Sequence, residues 1–442
     1  MRQATLPATA LPFLLAALFL PGVARADDAP LIAGPEPGAA TEAPAPAQDW
    51  AVLHAGIRPR LSTFGGIATL ALAQGRVHHF YGVASFATVR QDAGVFVGVT
   101  ELTLGAANAE SFYGVAQLGL SKNLAGSFAG VTQLSLAHND AESFGGVLQL
   151  APYDRAGDFY GLAQVGGYDR VERDFVGALQ VGLVHDDADR FRGLLQVSLA
   201  HAATRDFGGA AQVATYAHTN DFAGALQVGL LSRDDHAFAG GLELGLVNET
   251  GSGTVFSREQ KDGRFAGLAQ LGAVNWDDGT FAGVLQAGAL NMATHGFEGL
   301  AQVGLVSATE GDTWAALQLG GLLAGADEFH GLAQVGAVTF AEHAHGAQLG
   351  VVNVSTEDHD GLQLGLVDYS HDMRGAQIGL VNVADTVRGV QIGLFNQASS
   401  LRGLQLGVVN HAEDGSLVPW TAVMNMGFGS DGRENPIAAS NR

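Results

Sequence analysis

The chain has 442 residues, of which 44 are acidic and 22 are basic, so its formal net charge is −22. A surface this acidic repels nucleic acid and anionic lipid headgroups, and we therefore expect no nucleic-acid partner. The chain contains no cysteine, which excludes disulfides, cysteine-based zinc sites and thiol catalysis.

The first 26 residues have the pattern of a secretory signal peptide. Arg2 supplies a positive start, residues 11–20 are apolar, and Ala24-Arg25-Ala26 matches a small-x-small cleavage site. An apolar stretch of about 10 residues is too short to span a bilayer, which takes ~20. We therefore expect export, after which the mature chain has 20 basic and 44 acidic residues and a formal charge of −24.

Three further regions follow the leader. Residues 27–49 are rich in proline, alanine and acidic residues, and this composition predicts a disordered linker. Residues 50–428 carry an internal repeat and form the predicted β-repeat domain, and residues 429–442 are a polar tail.

The repeat is marked by a Phe-x-Gly signal, most often 16 residues apart, with a glutamine usually five residues after the phenylalanine. A fixed short period indicates one supersecondary unit copied many times. After His345 the unit shortens to 14 residues in the form Gly-x-Gln-x-Gly-x-x-Asn. We assign the aromatic place of the longer units to Phe64, Phe80, Phe96, Phe112, Phe128, Phe144, Phe159, Phe175, Phe191, Phe207, Phe222, Phe238, Phe265, Phe281, Phe297, Trp314 and Phe329.

Each unit reads as a β-strand, because its apolar residues alternate with period two. In the unit that begins at Phe191, the alternation predicts one apolar face through Gly193, Leu195, Val197 and Leu199, with Gln196 on the other face. Polar sets such as Asp187-Ala188-Asp189 favour tight turns between units. We therefore predict an all-β fold of about 22–24 strands, one per unit of 14–16 residues.

Two architectures fit this repeat. A ten-residue strand rises ~33 Å and, when tilted, crosses the ~25 Å apolar band of an outer membrane. This length predicts an antiparallel up-and-down outer-membrane barrel, and Trp420–Phe428 resembles the final strand of such a barrel. The partner of the barrel would be outer-membrane lipid, and one function would be that of a pore. A parallel β-solenoid is the alternative, because the repeat lacks the 32-residue alternation of short turns and long loops that barrels show.

The late units resemble the surface repeat-containing proteins in the envelopes of diderm bacteria. The matching residues in one unit are Gly375, Gln377, Gly379 and Asn382, and the two following units match in the same way. The resemblance implies the outer membrane or cell surface of such a bacterium and no known chemistry. A weaker local similarity, to the curlin repeat of secreted amyloid fibres, covers Gln377, Gly379, Asn382 and Ala384.

The repeated glutamine is the main candidate for a functional residue. It predicts either a neutral polar belt lining a pore or a hydrogen-bonded ladder that holds the strands in register, and a residue needed in every unit favours the ladder. The belt comprises Gln117, Gln133, Gln149, Gln164, Gln180, Gln196, Gln212, Gln227, Gln270, Gln286, Gln302, Gln318, Gln334, Gln348, Gln363, Gln377, Gln391 and Gln405, with Glu101 and Glu243 at the same place in two units.

Nothing in the sequence predicts catalysis. Nucleophile elbows, phosphate-binding glycine loops and His-Glu-x-x-His motifs are absent, so we predict a non-enzymatic protein with no catalytic residues and no cofactor. Histidines do concentrate late in the chain near carboxylates, in the pattern of a weak metal site, but they lie in predicted turns and we assign no metal. These are His330, His343, His345, His359 and His371.

Overall fold

The computed structural model describes residues 47–251, 263–416 and 418–428. The predicted signal peptide, most of the predicted linker and the polar tail lie outside the described residues. No helix in the described parts of the chain is long and apolar enough to cross a membrane.

The described residues form one sheet system of 30 strands, all but one of them paired in parallel. The strands are β1 Ala47–Gly56, β2 Arg60–Ala71, β3 Gln74–Tyr81, β4 Ala84–Ala87, β5 Arg90–Val97, β6 Thr100–Thr103, β7 Ala106–Tyr113, β8 Ala116–Gly119, β9 Lys122–Ala129, β10 Thr132–Ser135, β11 His138–Gly145, β12 Leu148–Tyr160, β13 Ala163–Val176, β14 Leu179–Arg192, β15 Leu195–Ser198, β16 His201–Gly208, β17 Ala211–Val213, β18 Tyr216–Val228, β19 Leu231–Leu244, β20 Val247–Thr250, β21 Gly263–Ala266, β22 Ala269–Leu271, β23 Val274–Asp277, β24 Gly279–Ala282, β25 Leu285–Ala287, β26 Leu290–Ala293, β27 Gly296–Leu364, β28 Val367–Ile378, β29 Val381–Asp414 and β30 Trp420–Phe428.

From β2 to β29, each repeat pairs with the next repeat, and equivalent residues face each other. Phe112 pairs with Phe128, and Gln117 pairs with Gln133. This in-register parallel pairing makes every repeat one coil of a β-solenoid of about 21 turns. The solenoid alternative is therefore the observed fold.

The prediction of an antiparallel outer-membrane barrel is wrong. The polar stretch assigned to turns forms a second strand in each coil, as in β9, where Asn123 and Ala125 face the interior. One repeat is thus a short strand, a bend, a longer strand and a second bend, which returns the chain to its starting side. Because the chain returns within each unit, successive copies of a strand run in the same direction.

The Phe-x-Gly signal reflects the packing at one bend. In the coil of Phe128, a Cβ on Gly130 would lie 2.7 Å from the carbonyl oxygen of Gly114 and 2.9 Å from Cζ of Phe128. Only glycine, which has no Cβ, leaves room for both the backbone of the neighbouring coil and the Phe128 ring of its own coil. The bend also shifts the alternation of inward and outward residues by one position. Phe128 and Gln133 are therefore both buried, although they are five residues apart.

This bend makes the predicted strand faces wrong. Phe191 and Gln196 both point into the solenoid, whereas Leu194 and Leu199 are exposed. Alternation holds only along an uninterrupted strand, and the chain bends between Phe191 and Gln196.

The phenylalanines form the main hydrophobic core. Fifteen rings from Phe64 to Phe297 stack coil on coil, with centroids 4.6 to 5.3 Å apart. The assignment of Trp314 to this row is wrong: Thr313 is buried there, and Trp314 is 55% exposed. In the shorter coils Met373, Val387 and Leu401 form the corresponding core.

The shorter coils lose one residue at the Phe-x-Gly bend. Gln133 follows Phe128 by five positions, but Gln377 follows Met373 by four. Gly375 closes this tighter bend at φ 132°, in a conformation that a Cβ disfavours. The end of the array is covered by β30, which runs antiparallel to β29 with Asn425 opposite Gln405. Trp420–Phe428 is therefore a cap and not a closing barrel strand.

Candidate functional site

The repeated glutamines form a ladder inside the solenoid, interrupted between Gln227 and Glu243. Every glutamine of the belt from Gln117 to Gln405 is fully buried. Where glutamines are neighbours, Nε2 of one donates to Oε1 of the preceding one over 2.7 to 3.0 Å. All these bonds point the same way, towards the N-terminus. The cap ends the ladder, since Asn425 donates to Oε1 of Gln405 over 3.2 Å.

A second interior ladder is built from asparagines, and sequence reasoning did not identify it. Asn123 donates through Nδ2 to Oδ1 of Asn139 over 2.8 Å, and Asn382, Asn396 and Asn410 repeat this bond at 2.7 Å. Its bonds point towards the C-terminus, opposite to the glutamine ladder. The signal was present as the asparagine of Gly-x-Gln-x-Gly-x-x-Asn. The glycine before it lies close to this row, since a Cβ on Gly119 would lie 2.5 Å from the carbonyl oxygen of Lys122 and from Oδ1 of Asn123, although Thr103 and Ser135 occupy the equivalent place in the neighbouring coils.

Glu101 and Glu243 occupy glutamine places in the first ladder, and both are fully buried. Each accepts one bond at Oε2, from Gln117 over 2.9 Å and from Gln270 over 3.0 Å. Burial raises the pKa of Glu101 to about 8. Burial, together with the charges of Asp234 and Asp277, raises the pKa of Glu243 well above its ordinary value.

The geometry of the ladder requires the protonated form at Glu243. A glutamine has an N–H group for the preceding rung, whereas a carboxylate has no hydrogen to donate. Gln227 lies in register with Glu243, and Oε1 of Gln227 and Oε1 of Glu243 are buried without a partner. A neutral Glu243 supplies the missing donor, so the raised pKa and the geometry agree.

Other carboxyl groups are buried in the coils between Glu101 and Glu243. Asp154, Asp169 and Asp186 follow one another in the asparagine row on successive coils. Burial is the main cause that raises the pKa of Asp169 to about 10 and that of Asp186 to about 8. The stack therefore holds neutral acids at neutral pH and not a column of negative charge.

The late histidines do not converge on a site. Within the described ranges, no group of three metal-binding side chains is close enough to hold an ion. His359 is buried in register with Met373, where burial lowers its pKa to about 4. His330 stacks between Trp314 and His345, with ring centroids 4.3 and 4.8 Å away.

The outward residues of the short strand form a surface that we call the apolar face. It consists of four rows, and each row contains the residues of successive coils that are equivalent to Val115, Ala116, Leu118 or Leu120. None of these positions from β2 to β29 carries a charged residue. Val115 is 45% exposed and Leu120 is 48% exposed. The row of Leu118 is apolar in every coil, through Leu70, Phe86, Leu102, Leu134, Leu150, Val165, Val181, Val197, Val213, Val228, Leu244, Leu271, Ala287, Val303, Leu319, Val335, Leu349, Leu364, Ile378, Ile392 and Leu406.

A row of stacked rings borders the apolar face over six coils. The row consists of His138, Tyr153, Tyr168, His185, His201 and Tyr216, with neighbouring centroids 4.6 to 5.2 Å apart. All neighbouring pairs are stacked except His185 and His201, whose rings are tilted by 47°. Burial lowers the pKa of all three histidines. Nδ1 of His185 and Nδ1 of His201 lie 2.9 Å apart, which requires a hydrogen on one and a lone pair on the other.

The charged residues that face outward lie on the longer strand, away from the apolar face. Arg155 bonds Asp140 over 2.7 Å and Glu172 over 2.8 Å, and Arg173 bonds Asp158 over 2.6 Å. An open groove of about 690 Å³ crosses this side. Several of its carboxylates are thus already neutralised by arginines of neighbouring coils.

Comparisons with protein-family models, with curated proteins and with solved structures found no match. The functional argument therefore rests on the geometry of the two ladders and the apolar face.

Proposed function

We propose that this chain is an exported, non-enzymatic structural or adhesive rod at the cell surface of a diderm bacterium. The observation that carries the proposal is the in-register parallel stacking of about 21 coils. At ~4.8 Å per coil, this stacking gives a rod of ~100 Å. A repeat array presents an extended surface more readily than a single pocket.

The distribution of polar groups supports the same proposal. The repeated amides are bonded to each other along the axis, so they hold the coils in register and do not face a solute. The outward rows remain for contacts with other molecules. Export is supported by the leader in residues 1–26, and the envelope location by the surface-repeat resemblance of the late units.

Expression of the full chain with a C-terminal tag in a diderm bacterium tests the location. We expect a mature N-terminus at Asp27, read by mass spectrometry, and labelling of intact cells by a membrane-impermeant reagent. An intact leader on a cytoplasmic protein would overturn the proposed export.

Small-angle scattering of the purified mature chain tests the rod. A ~100 Å rod has a radius of gyration of ~30 Å, whereas a globular domain of about 380 residues has roughly 21 Å. We expect a soluble, elongated particle without detergent. A compact particle, or one that requires detergent, would contradict the proposal.

A further inference from the structure

The apolar face is larger than the exposed apolar patch of an ordinary soluble monomer. Its four rows span about five residue steps of ~3.3 Å, and ~21 coils of ~4.8 Å give it an area of ~1,700 Å². The largest patch on a typical monomer is ~300–600 Å². Its size therefore indicates that the face is covered in the working protein.

We propose that the apolar face is the interface between two copies of this chain, packed face to face. A stable protein interface buries ~800 Å² per partner, so half of the face is sufficient. The same face on both copies forms a two-fold, isologous contact that closes on itself. This inference deepens the proposed structural role. It rests on that proposal, because it takes the exported chain without its leader as the species that assembles.

One part of the face has side-chain sizes that suit sheet-on-sheet packing. Over the four coils of Leu285, Ala301, Leu317 and Ala333, leucine and alanine alternate in the row of Ala116. This alternation makes ridges and hollows ~9.6 Å apart, twice the spacing of the coils. Side chains from two such sheets interdigitate, and the hollows of one copy accept the leucines of the other.

Charge favours a second copy over a lipid surface as the occupant. Elements that lie on membranes combine an apolar side with flanking lysines and arginines, but the mature chain has only two lysines and a formal charge of −24. In the face-to-face pair the acidic residues of the longer strands point away from the interface. Their mutual repulsion is screened over the ~8 Å Debye length of physiological salt.

The cap continues the same surface. In β30, Met424 lies opposite Leu406 and Met426 lies opposite Leu404. Met424 and Met426 are 53% and 42% exposed. The apolar rows thus extend over the terminal strand, as expected if the whole length of the rod is covered.

Sedimentation velocity of the purified mature chain, residues 27–442, tests the proposal. We expect a dimer whose dissociation constant rises at least tenfold in the triple variant Leu118→Glu, Leu134→Glu, Leu150→Glu, with an unchanged far-ultraviolet spectrum. The matched control is Val97→Glu, Tyr113→Glu, Tyr160→Glu, which places the same charges on exposed apolar residues outside the face and leaves the dimer intact.

Three outcomes overturn the proposal. The first is a monomer at every concentration, and the second is a control variant that dissociates as fully as the face variant. The third is a monomer that floats with uncharged phosphatidylcholine vesicles and loses this flotation in the face variant, which would assign the face to lipid. A single substitution, Leu134→Glu, with a cooperative unfolding transition replaces the triple variant if the latter does not fold. Because the test uses purified protein, its failure is distinct from a failure of the proposed cell-surface location.

Discussion

Glu243 lies directly in register with Gln227 on the preceding coil, and Oε1 of Gln227 has no hydrogen-bond donor in the described structure unless Glu243 carries a proton. Glu101 occupies a second glutamine place nearer the N-terminus, where burial raises its pKa to about 8, so two rungs of the ladder are sensitive to pH. The remaining amide rungs do not titrate.

Replacement of Glu101 by glutamine is expected to stabilise the fold at neutral pH. The folded-state pKa of about 8, against an ordinary value of 4.5, corresponds to a cost of about 3 kcal/mol at pH 7. A glutamine removes this cost and keeps a hydrogen-bond donor towards Ser85, its register partner. Urea unfolding at pH 7 and pH 4 measures the effect, with exposed Glu110→Gln as the control. An equal gain at both pH values would contradict the protonated-acid assignment.

The wild-type protein is expected to be most stable in mild acid, near pH 4 to 5. Glu101, Asp186 and Asp234 have pKa values raised to about 8, and Asp277 to about 7. These groups keep their protons in the folded state and lose them in the unfolded state above about pH 4. Stability therefore falls as the pH rises from there to about 8.

The acid side of this optimum has a separate cause. Hydrogen bonds to arginine lower the pKa of Asp158 and Glu172, and their contribution is lost as the pH falls below the ordinary carboxyl range. Denaturant midpoints measured from pH 3 to pH 9 at low protein concentration check the whole profile. A midpoint that rises steadily from pH 5 to pH 8 would show that the buried acids are ionised in the folded state.

Replacement of Phe128 by alanine is expected to cost about 3–5 kcal/mol, the usual range for a buried aromatic residue. Phe128 stacks on Phe112 and Phe144 with both centroids at 4.9 Å, so the cavity interrupts the core between two coils. The neighbouring control is Tyr113→Ala, which removes a half-exposed ring. Urea titration with hydrogen exchange measures both, and equal losses of stability would argue against the stacked core.

Replacement of Gly130 by alanine is expected to destabilise the solenoid, because the added Cβ meets the Gly114 carbonyl oxygen and the Phe128 ring at less than 3.0 Å. Gly325→Ala is the matched control, since a Cβ there has nothing within 4 Å. The control is expected to be neutral or stabilising by up to about 1 kcal/mol. Thermal unfolding of the two variants checks the difference, and a neutral Gly130→Ala would refute the close-packed bend.

The repeat unit and its strand character follow from the sequence alone. The 16-residue spacing, the later 14-residue spacing and the period-two alternation were sufficient for an all-β repeat, because copied units and strand periodicity are local properties of the chain. The same spacing was sufficient to identify the repeated glutamines as candidate ladder residues. The asparagine row is visible in the motif, but its polar surroundings predict turns, so the sequence does not predict a second ladder there.

The direction of the strands, and whether each residue faces inward or outward, depend on contacts between coils. The bend at Gly130 turns both Phe128 and Gln133 inward, and local alternation cannot show where such a bend lies. Whether a polar stretch reverses the chain or continues the coil depends on pairing with residues one repeat away. That pairing is parallel here because identical residues stack on themselves, ring on ring and amide on amide, and it leaves the aliphatic residues of the short strand on the outside.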